Sequence, residues 1–493
     1  MVDRFDVVVI GAGSAGYAAA RTASGMGATV ALIEKGPIGG LCILWGCMPS
    51  KALLRSAEIA HLVSDARRWG VETGEVRPDF QAIMARKDGM IKGFADYRIR
   101  KIHDLPRTEL VMGHARFVAP DRIQVGPRLI RGERFVIATG SKPQRPPIPG
   151  LSEVGYLVSD EVLGLASPPR SMLVIGGGVI AVELGQFFAR MGVEVTVIEA
   201  AATLLPQEDA DVSEALREAL RAEGIRVVTG ARVLRAERRE GRKVLIVERE
   251  GRKQELAAQE IFVATGRVPN LGGLDLEQAQ VVTSGGRITI DETMRTSNPR
   301  IYAAGDAWGG TFLVHVAIAE GELAARNAVT QGKEPMDYRV VPFAVFTDPS
   351  VARVGPTEKE CTLQGRDILT ATYPFAELGK AELMGGTALM GFVKLIADAL
   401  SGEILGAQAI GPGASDLIHE LVAVISMRGT ISQFVRIPHV HPTLAEIWTY
   451  PAAEIDERMK ARGMSLRVSL MPGGYGPDGL EMQAEESSAS PPE

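Results

Sequence analysis

Two cysteines near the start of the chain give the strongest chemical signal in the sequence. Cys42 and Cys47 have four residues between them and are two of only three cysteines in 493 residues. Such a pair can close to a disulfide and reopen, which transfers two electrons. Gly39, Gly40 and Pro49 predict a tight turn that leads into a helix, and a helix N-terminus lowers a thiol pKa. We therefore interpret the pair as redox-active; the alternative is two small buried residues.

Near the other end of the chain, two of the seven histidines stand close to a carboxylate. Residues 438–446 contain His439, His441 and Glu446. Thiol–disulfide exchange needs a base, and a histidine oriented by a carboxylate suits that task at neutral pH. Zinc binding and an ordinary loop histidine are alternatives, but a third local ligand is not evident, and we predict no metal site. Cys361 stands alone in a polar stretch and is predicted to take no part.

The thiol pair follows a glycine-rich turn with the pattern of a dinucleotide-binding site. Residues 7–10 read as a buried strand, and Gly11, Gly13 and Gly16 then open a helix. The next strand ends at Glu34, as expected for a βαβ unit. The glycines allow a pyrophosphate to approach the helix N-terminus, and the carboxylate can bind a ribose. A glycine turn without a ligand is the alternative, and the strand–turn–helix context argues against it.

The same unit recurs in the middle of the chain. Ser171–Ile175 reads as a strand, Gly176 and Gly178 follow it with Ala181 at the last small position, and the next strand ends at Glu199. Two such units predict two nucleotide sites. A carboxylate at this place pairs with ribose hydroxyls and repels a 2′-phosphate, so we predict NAD rather than NADP. The alternative is that Glu199 only ends the strand.

Further repeats and turn signals divide the rest of the chain. Two buried strands close on the sequence Ala-Thr-Gly, at Gly140 and Gly266, where the backbone can approach a ligand. The proline-rich residues 143–150 read as a stiff connector. Apolar spacing predicts helix over residues 51–101. Strands followed by helices over residues 340–454 predict an α+β unit.

The bulk composition is that of a globular protein with several domains. Hydrophobic residues make up 46% of the chain, and 54 basic against 60 acidic residues give a net charge of −6. This balance argues against a nucleic-acid partner, and no apolar stretch is long enough to span a membrane. Three cysteines are too few for a secreted disulfide framework. The first residues read as a strand rather than a signal peptide, so we predict a cytoplasmic enzyme.

Taken together, the motifs resemble those of the class I pyridine-nucleotide disulfide oxidoreductases, and within this family most closely the dihydrolipoamide dehydrogenases. The family sequence Gly-Gly-Thr-Cys-x4-Cys-x-Pro-Ser-Lys is matched at residues 39–51, with Leu41 in place of threonine. His-x-His-Pro-Thr-x-x-Glu is matched in full at residues 439–446, and the Ala-Gly-Asp segment ends at Asp306. The resemblance covers about residues 4–455.

The resemblance implies an α/β fold in which two Rossmann-like domains bind FAD and NAD, and a C-terminal α+β domain forms a homodimer. FAD is expected at the first glycine turn and NAD at the second. The implied division is 1–146 and 271–339 for the two parts of the FAD-binding domain, 147–270 for the NAD-binding domain, 340–460 for the dimerisation domain, and 461–493 for a largely disordered tail.

The resemblance also implies a role for each candidate residue. Cys42 is expected to be the interchange thiol that attacks the substrate disulfide, and Cys47 the charge-transfer thiol against the flavin. His441, held by Glu446, is expected to reach them from the other subunit. The other candidates are expected to bind or border the cofactors: Gly11, Gly13, Gly16, Glu34, Gly140, Asp306 and Lys51 with its partner Glu183 on the flavin side, Gly176, Gly178, Glu199 and Gly266 on the NAD side, and Arg267 between them.

The implied reaction is the reoxidation of protein-bound dihydrolipoamide by NAD through the Cys42–Cys47 disulfide. The expected partner is a lipoylated carrier protein or a small disulfide. Alternatives are a mercuric-reductase-like or other NAD(P)H-dependent disulfide reductase, a flavin NADH oxidase or diaphorase, and a redox-sensing flavoprotein without turnover. Leu41 and residues 43–45, which include Trp45, depart from the usual family residues around the cysteines. These departures bear on the substrate more than on the redox chemistry.

Overall fold

The first glycine turn is carried by the largest sheet of the computed structural model, which describes residues 2–462. The elements before the proline-rich connector are β1 (Val2–Ile10), α1 (Ser14–Gly25), β2 (Val30–Glu34), α2 (Gly40–Leu44), α3 (Cys47–Ser64), α4 (Phe80–His103), β3 (Thr108–Met112), β4 (Ala115–Ala119), β5 (Arg122–Val125), β6 (Arg128–Ile137) and β7 (Ser141–Pro143). The strand order is β3-β2-β1-β6-β5-β4. Pairing is parallel from β3 to β6 and antiparallel from β6 to β4.

The stretch predicted to be helical, residues 51–101, consists of two helices with a non-helical segment between them. Helix α3 ends at Ser64, and α4 begins only at Phe80. A short 3-10 turn, Ala66–Trp69, lies between them and ends at Gly70, whose φ of +75° suits glycine. The division into two helices positions the thiols. Helix α3 starts at Cys47 itself, and α4 packs against both α2 and α3.

The predicted second nucleotide-binding unit forms a parallel sheet of its own. Its elements are α5 (Leu151–Val154), α6 (Ser159–Val162), β8 (Ser171–Ile175), α7 (Val179–Arg190), β9 (Glu194–Ile198), α8 (Ala210–Ala222), β10 (Arg226–Val228), β11 (Ala231–Arg239), β12 (Arg242–Arg249), β13 (Arg252–Ala258), β14 (Glu260–Val263) and β15 (Arg267–Pro269). The parallel order is β10-β9-β8-β14, and β11-β12-β13 form a separate antiparallel sheet.

After this unit the chain returns to the first sheet. The elements are β16 (Thr283–Ser284), β17 (Arg287–Ile288), β18 (Ile301–Ala303) and α9 (Val314–Thr330). Strand β18 pairs in parallel with β6, and α9 packs on α1. The approach of the helices is close at Gly321, where a Cβ would lie 2.3 Å from the Ala15 carbonyl oxygen. Strand β15 pairs with β7, so a two-stranded ribbon joins the two nucleotide-binding units.

The C-terminal region is the predicted α+β unit. Its elements are β19 (Phe343–Val345), β20 (Ser350–Val354), α10 (Glu358–Leu363), β21 (Ile368–Pro374), α11 (Gly379–Met384), β22 (Phe392–Asp398), β23 (Ile404–Gly411), α12 (Ala414–Ser426), α13 (Ile431–Phe434) and α14 (Thr449–Ala461). The antiparallel order is β19-β20-β23-β22-β21. Its core includes the fully buried Trp448, and Cys361 is buried on α10.

The α/β fold class is thereby confirmed, with two dinucleotide-binding units and a C-terminal α+β unit. The domain boundaries given above stay a prediction. The predicted tail lies outside the described residues except for its first two positions. Among residues 2–462, no helix has both the length and the apolar character needed to cross a bilayer.

Candidate active site

The two thiols lie on consecutive short segments that rest on the first glycine turn. Cys42 belongs to α2, and Cys47 is the first residue of α3. Gly40 has a φ of +68°, and a Cβ on it would lie 2.5 Å from the Gly13 Cα. Only glycine at this position lets α2 come so close to the turn. The sequence thus places the cysteines directly beside the turn at which the first nucleotide is expected.

The two thiols are half-buried, reduced and unequal in acidity. A hydrogen bond from Cys42 lowers the pKa of Cys47 to about 7; burial opposes this shift, and the nearby Lys51 charge supports it. The same hydrogen bond, together with burial and the charge of Cys47, raises the pKa of Cys42. The thiolate of the reduced pair therefore forms on Cys47, at the positive end of α3.

A lysine, a glutamate and a phenylalanine from three distant segments meet beside Cys47. The Lys51 Nζ donates to both carboxylate oxygens of Glu183 on α7, at 3.0 and 2.8 Å. The backbone N–H of Phe346 donates to the same carboxylate at 2.9 Å, and the Lys51 ammonium lies 4.5 Å from the Phe346 ring centroid. Glu183 is only 3% exposed, so the ion pair is fixed rather than fluctuating at the surface.

On another side of Cys47, Arg267 and Asp306 are joined through a serine. The Arg267 Nε donates to the Ser141 Oγ at 2.9 Å, and that hydroxyl donates to the Asp306 carboxylate at 2.5 Å. Burial raises the pKa of Asp306 and lowers the pKa of Arg267. The β7–β15 ribbon explains the contact, because it pairs the segment of Ser141 with the segment of Arg267.

The predicted base is oriented, but it does not lie against the thiols of the same chain. The His441 Nδ1 lies 2.9 Å from the Glu446 carboxylate, which leaves the Nε2 free to accept a proton. The histidine side chain is 78% exposed, whereas that of Glu446 is 12% exposed. Within residues 2–462, no hydrogen bond or ion pair connects this histidine to Cys42 or Cys47. The imidazole therefore faces outward, while the carboxylate that orients it is buried.

The two glycine turns repeat each other in detail. A Cβ on Gly11 would lie 2.3 Å from the Ala138 carbonyl oxygen, and a Cβ on Gly176 would lie 2.4 Å from that of Ala264. Each turn is therefore pressed against one of the Ala-Thr-Gly segments, which continue to Gly140 and Gly266 at φ values of +68° and +114°. The structure thus places Gly11 beside the segment that ends at Gly140, and Gly176 beside the segment that ends at Gly266.

The carboxylates at the ends of the second strands also occupy equivalent positions. Glu34 accepts a hydrogen bond from the Ala12 N–H at 2.9 Å, and Glu199 accepts one from the Gly177 N–H at 2.5 Å. Both side chains thus face their glycine turns, where a ribose hydroxyl can reach them. Glu199 also accepts from the Ala201 N–H, and no arginine follows it in the loop.

A buried glutamate supports the segment that carries Asp306. Glu320 on α9 is 1% exposed and accepts hydrogen bonds from the Gly305 N–H at 2.7 Å and from the Trp308 indole at 3.0 Å. Its other oxygen accepts from the Tyr338 hydroxyl at 2.7 Å. This carboxylate holds the turn on both sides of Asp306 and links it to the chain that leads into the C-terminal unit.

Comparison with known proteins decides the family. The family described as pyridine nucleotide-disulphide oxidoreductase matches residues 5–321, and its dimerisation domain matches residues 341–452. The chain belongs to this family. This pyridine nucleotide-disulphide oxidoreductase is therefore a flavoprotein that uses FAD and a nicotinamide dinucleotide with a redox disulfide. The match of the dimerisation domain supports a homodimer.

Relatives with different substrates are about equally similar to this pyridine nucleotide-disulphide oxidoreductase. A mercuric reductase of Bacillus cereus is 37% identical over 443 residues, which are 90% of this chain and 70% of that protein. A dihydrolipoyl dehydrogenase of Bacillus subtilis (strain 168) is 35% identical over 463 residues, 90% of this chain and 97% of that protein. The Cu(II) complex of the HOCl-induced flavoprotein disulfide reductase RclA from Escherichia coli has a TM-score of 0.82 and 28% identity, over 92% of this chain and 100% of that chain.

The first glycine turn of this oxidoreductase fits an FAD pyrophosphate. At Gly11 and Gly16 there is no room for a side chain. A Cβ on Gly13 would contact only the Gly40 Cα, at 3.7 Å, so the backbone at Gly13 is open to a ligand. The hydroxyls of Thr139 and Thr265 are buried without a hydrogen-bond partner among the described residues. Buried unpartnered hydroxyls at both Ala-Thr-Gly turns are consistent with ligands that provide the missing contacts.

Sequence reasoning missed the residues that support this site from other segments. Ser141, Glu320 and Phe346 carry no motif, and each acts through contacts to residues far away in the chain. A local signal existed only for Ser141, which directly follows the Ala-Thr-Gly sequence. The other two have no spacing pattern that could have identified them.

Proposed function

We propose that the chain oxidises dihydrolipoyl groups with NAD through a Cys42–Cys47 disulfide, as a dihydrolipoamide dehydrogenase. Per turnover, the substrate dithiol becomes a disulfide, and NAD becomes NADH with release of one proton. The observation that carries the proposal is the unequal thiol pair on the first glycine turn, in which Cys47 is the acidic member. An exchange reaction needs one thiol that attacks or is attacked and one that leaves readily as a thiolate.

The thiols divide the exchange between them. A substrate thiolate attacks the Cys42 sulfur of the disulfide, and Cys47 leaves as a thiolate, which its low pKa favours. The second substrate thiol then attacks the sulfur bound to Cys42 and releases it. His441 of a second subunit, oriented by Glu446, would take up the substrate protons at its Nε2.

The cofactor residues have equally distinct proposed roles. Held by the residues of the first turn, FAD would supply the two-electron chemistry that connects the dithiol to the nicotinamide. Lys51, fixed by Glu183, and Asp306, reached through Ser141 from Arg267, would hold the flavin. These residues position the cofactor and exclude water from the thiol face; they exchange no electrons themselves.

NAD is proposed as the second dinucleotide because of the second glycine turn. The Glu199 carboxylate accepts a hydrogen bond from the Gly177 N–H of this turn, and there it can also bind ribose hydroxyls. Its negative charge would repel a 2′-phosphate, and three alanines follow it without a compensating arginine. A cytoplasmic enzyme with a separate lipoylated carrier protein is consistent with these residues.

The competing substrate is mercuric ion, since mercuric reductases are among the relatives. Coverage favours dihydrolipoamide, because the chain covers 97% of the Bacillus subtilis dihydrolipoyl dehydrogenase but 70% of the Bacillus cereus mercuric reductase. Within the 493 residues no cysteine follows Cys361, which is itself buried on α10, so these residues provide no second exposed thiol pair that could deliver a metal ion. Trp45, 39% exposed between the cysteines, would shape the substrate entrance.

The test is steady-state turnover of the purified full chain with three substrate pairs. Dihydrolipoamide with NAD is expected to give the highest kcat/KM, above glutathione disulfide with NADPH and mercuric ion with NADPH. Activity with only the last two pairs would show the proposal to be wrong. The variant C42S is expected to lose dihydrolipoamide turnover while NADH still reduces an artificial acceptor; equal dihydrolipoamide turnover would instead indicate an oxidase that does not use the thiols.

A further inference from the structure

The thiol pair has positive charges on two sides, and one of them has no role in the site described so far. Lys51 and Arg267 act on Cys47. Two cations act on Cys42, namely Arg98 on α4 and, to a smaller extent, Lys51. Helix α2, which carries Cys42, packs against α4, so the arginine approaches the thiol from a different element than the lysine does.

The charge of Arg98 has no counter-ion among residues 2–462. Its Nη1 is buried without a hydrogen-bond partner, and its guanidinium lies 4.3 Å from the ring centroid of Tyr17 on α1. Burial lowers the pKa of Arg98, but an arginine in a protein still remains protonated. A buried cation without a carboxylate is unfavourable unless another anion compensates it.

A second arginine beside the same tyrosine provides an internal comparison. Arg21 lies 5.9 Å from the Tyr17 ring centroid, is 53% exposed, and forms an ion pair with Glu322. The surface arginine thus has a carboxylate partner, whereas the buried arginine beside the thiol has none. The contrast shows that the described residues leave room for an anion beside Arg98.

Few charged or titratable groups surround Cys42 and Arg98. Cys42 faces Cys47 and Lys51 of α3 and Arg98 of α4. Arg98 faces Tyr17 and Arg21 of α1, Tyr97 of its own helix, and Cys42. Cys42 is therefore the group near Arg98 that becomes an anion during the proposed exchange.

We propose that Arg98 is a positioning residue that stabilises the thiolate form of Cys42 when this thiol attacks or leaves. The inference rests on the proposed disulfide exchange at Cys42. In the last exchange step, the bond between the Cys42 Sγ and the substrate sulfur breaks and the substrate disulfide forms. The electron pair of the broken bond remains on the Cys42 Sγ, and the guanidinium balances this charge.

The two thiols share one cation, and each interacts with a further one. The Lys51 charge acts on both thiols, Arg267 interacts with Cys47, and Arg98 interacts with Cys42. The hydrogen bond and the burial raise the pKa of Cys42, and the charge of Arg98 opposes this rise. Arg98 lowers that pKa without a proton transfer of its own.

The experiment follows the pH dependence of Cys42 alkylation in the reduced full-length protein. R98Q removes the charge, and R98M also removes it but keeps an apolar side chain against Tyr17. The rate of iodoacetamide modification of each cysteine is quantified by peptide mapping between pH 6 and 10, and bound flavin serves as the folding check. A midpoint above this range is obtained from the rates below it, because the thiolate fraction there changes tenfold for each unit of pKa. R21Q is the matched control, because it removes a charge beside the same tyrosine ring.

We expect the alkylation midpoint of Cys42 to rise by about one pH unit or more in R98Q and R98M, since an opposite charge at this range shifts a pKa by one to three units. Dihydrolipoamide turnover should fall about tenfold or more, because a one-unit shift corresponds to a tenfold change in thiolate fraction. R98K should recover most of both effects, and R21Q should behave as the unmodified protein.

The outcomes separate this inference from the proposed function. An unchanged Cys42 midpoint in a variant that retains flavin would overturn the role of Arg98, even if turnover fell. Equal shifts in R21Q and R98Q would also contradict it. If the unmodified protein did not oxidise dihydrolipoamide, the proposed function would fail, but the alkylation profiles need no substrate and would still decide on Arg98.

Discussion

The two glycine turns of this chain have the same local geometry but different surroundings. At the first turn, Gly40 approaches Gly13 and α9 packs on α1, so later segments of the chain close over the turn. At the second turn, a Cβ on Gly178 would meet nothing within 4 Å. The difference fits a dinucleotide that stays bound at the first turn and one that exchanges in every cycle at the second.

The shared geometry also shows which features belong to the turn itself. Gly11 and Gly176 have φ values of +104° and +113°, in the region that favours glycine. Glu34 and Glu199 each accept an N–H from their own turn. The two turns therefore differ in the segments that surround them, because only the first turn has the thiol pair and an overlying helix.

The largest expected effect comes from filling the enclosed turn. G16A would place a Cβ 1.7 Å from the Gly11 carbonyl oxygen. Because the backbone on both sides is fixed, we expect a loss of about 3 kcal/mol or more in the free energy of unfolding, and a colourless protein. Denaturant unfolding and the flavin content of the purified protein measure both. A G16A variant with full flavin content would contradict the enclosed geometry.

A change at the second turn, at Gly178, which is equivalent to Gly13 of the first turn, should have a smaller and different effect. G178A adds a Cβ that meets no protein atom, so the fold and the flavin should be retained. The added methyl group would lie where the pyrophosphate approaches, and we expect the KM for NAD to rise about tenfold. If G178A instead loses flavin, the two turns are not independent, and the comparison fails.

The carboxylates at the strand ends sharpen the same contrast. E199A should reduce the preference for NAD over NADP by about tenfold in kcat/KM, because the charge that repels a 2′-phosphate is removed. E34A should weaken flavin retention and leave that preference unchanged. The measurement is the ratio of the two kcat/KM values for each variant. A change of the ratio in E34A would show that the nucleotide assignments are wrong.

The smallest effect concerns the acidity of the thiol at the first turn. Because the pKa of Cys47 is held at about 7, its thiolate is the major form above pH 7 and is lost as the pH falls below it. C42A removes the hydrogen bond that is the main cause, so the midpoint of Cys47 alkylation should rise by about one unit. K51M removes only a secondary charge, and its shift should be smaller. A larger shift in K51M than in C42A would show that Lys51 is the main cause of the low pKa of Cys47.

Local patterns in the sequence predicted the features that depend on neighbouring residues. Both glycine turns, the helix that begins at the second thiol and the α+β character of the C-terminal region follow from spacing, from turn residues and from runs of apolar residues. The same rules predicted helix over residues 51–101 but did not locate the interruption that begins at Gly70. Periodicity reports an average over a window and does not resolve a single interruption.

Contacts between distant segments could not be predicted in this way. Arg98 has no partner on its own helix, and its position beside Cys42 depends on how α4 packs on α2. Glu320 reads as one more polar residue on α9 until Trp308 and Tyr338 are placed against it. Such side chains acquire a role only from tertiary packing, which one sequence without a structure does not report.

The β7–β15 ribbon has a consequence for how electrons and nucleotides move. Each nucleotide-binding unit contributes one strand, and two further backbone hydrogen bonds, Gln144 to Gly266 and Asn270 to Gly140, extend the connection. An ion pair between Arg190 and Asp348 connects the second nucleotide-binding unit to the C-terminal unit. Movement of one nucleotide-binding unit relative to the other would strain this ribbon and its two flanking hydrogen bonds. The connection therefore restrains the separation of the two glycine turns, and with it the distance between two dinucleotides bound there.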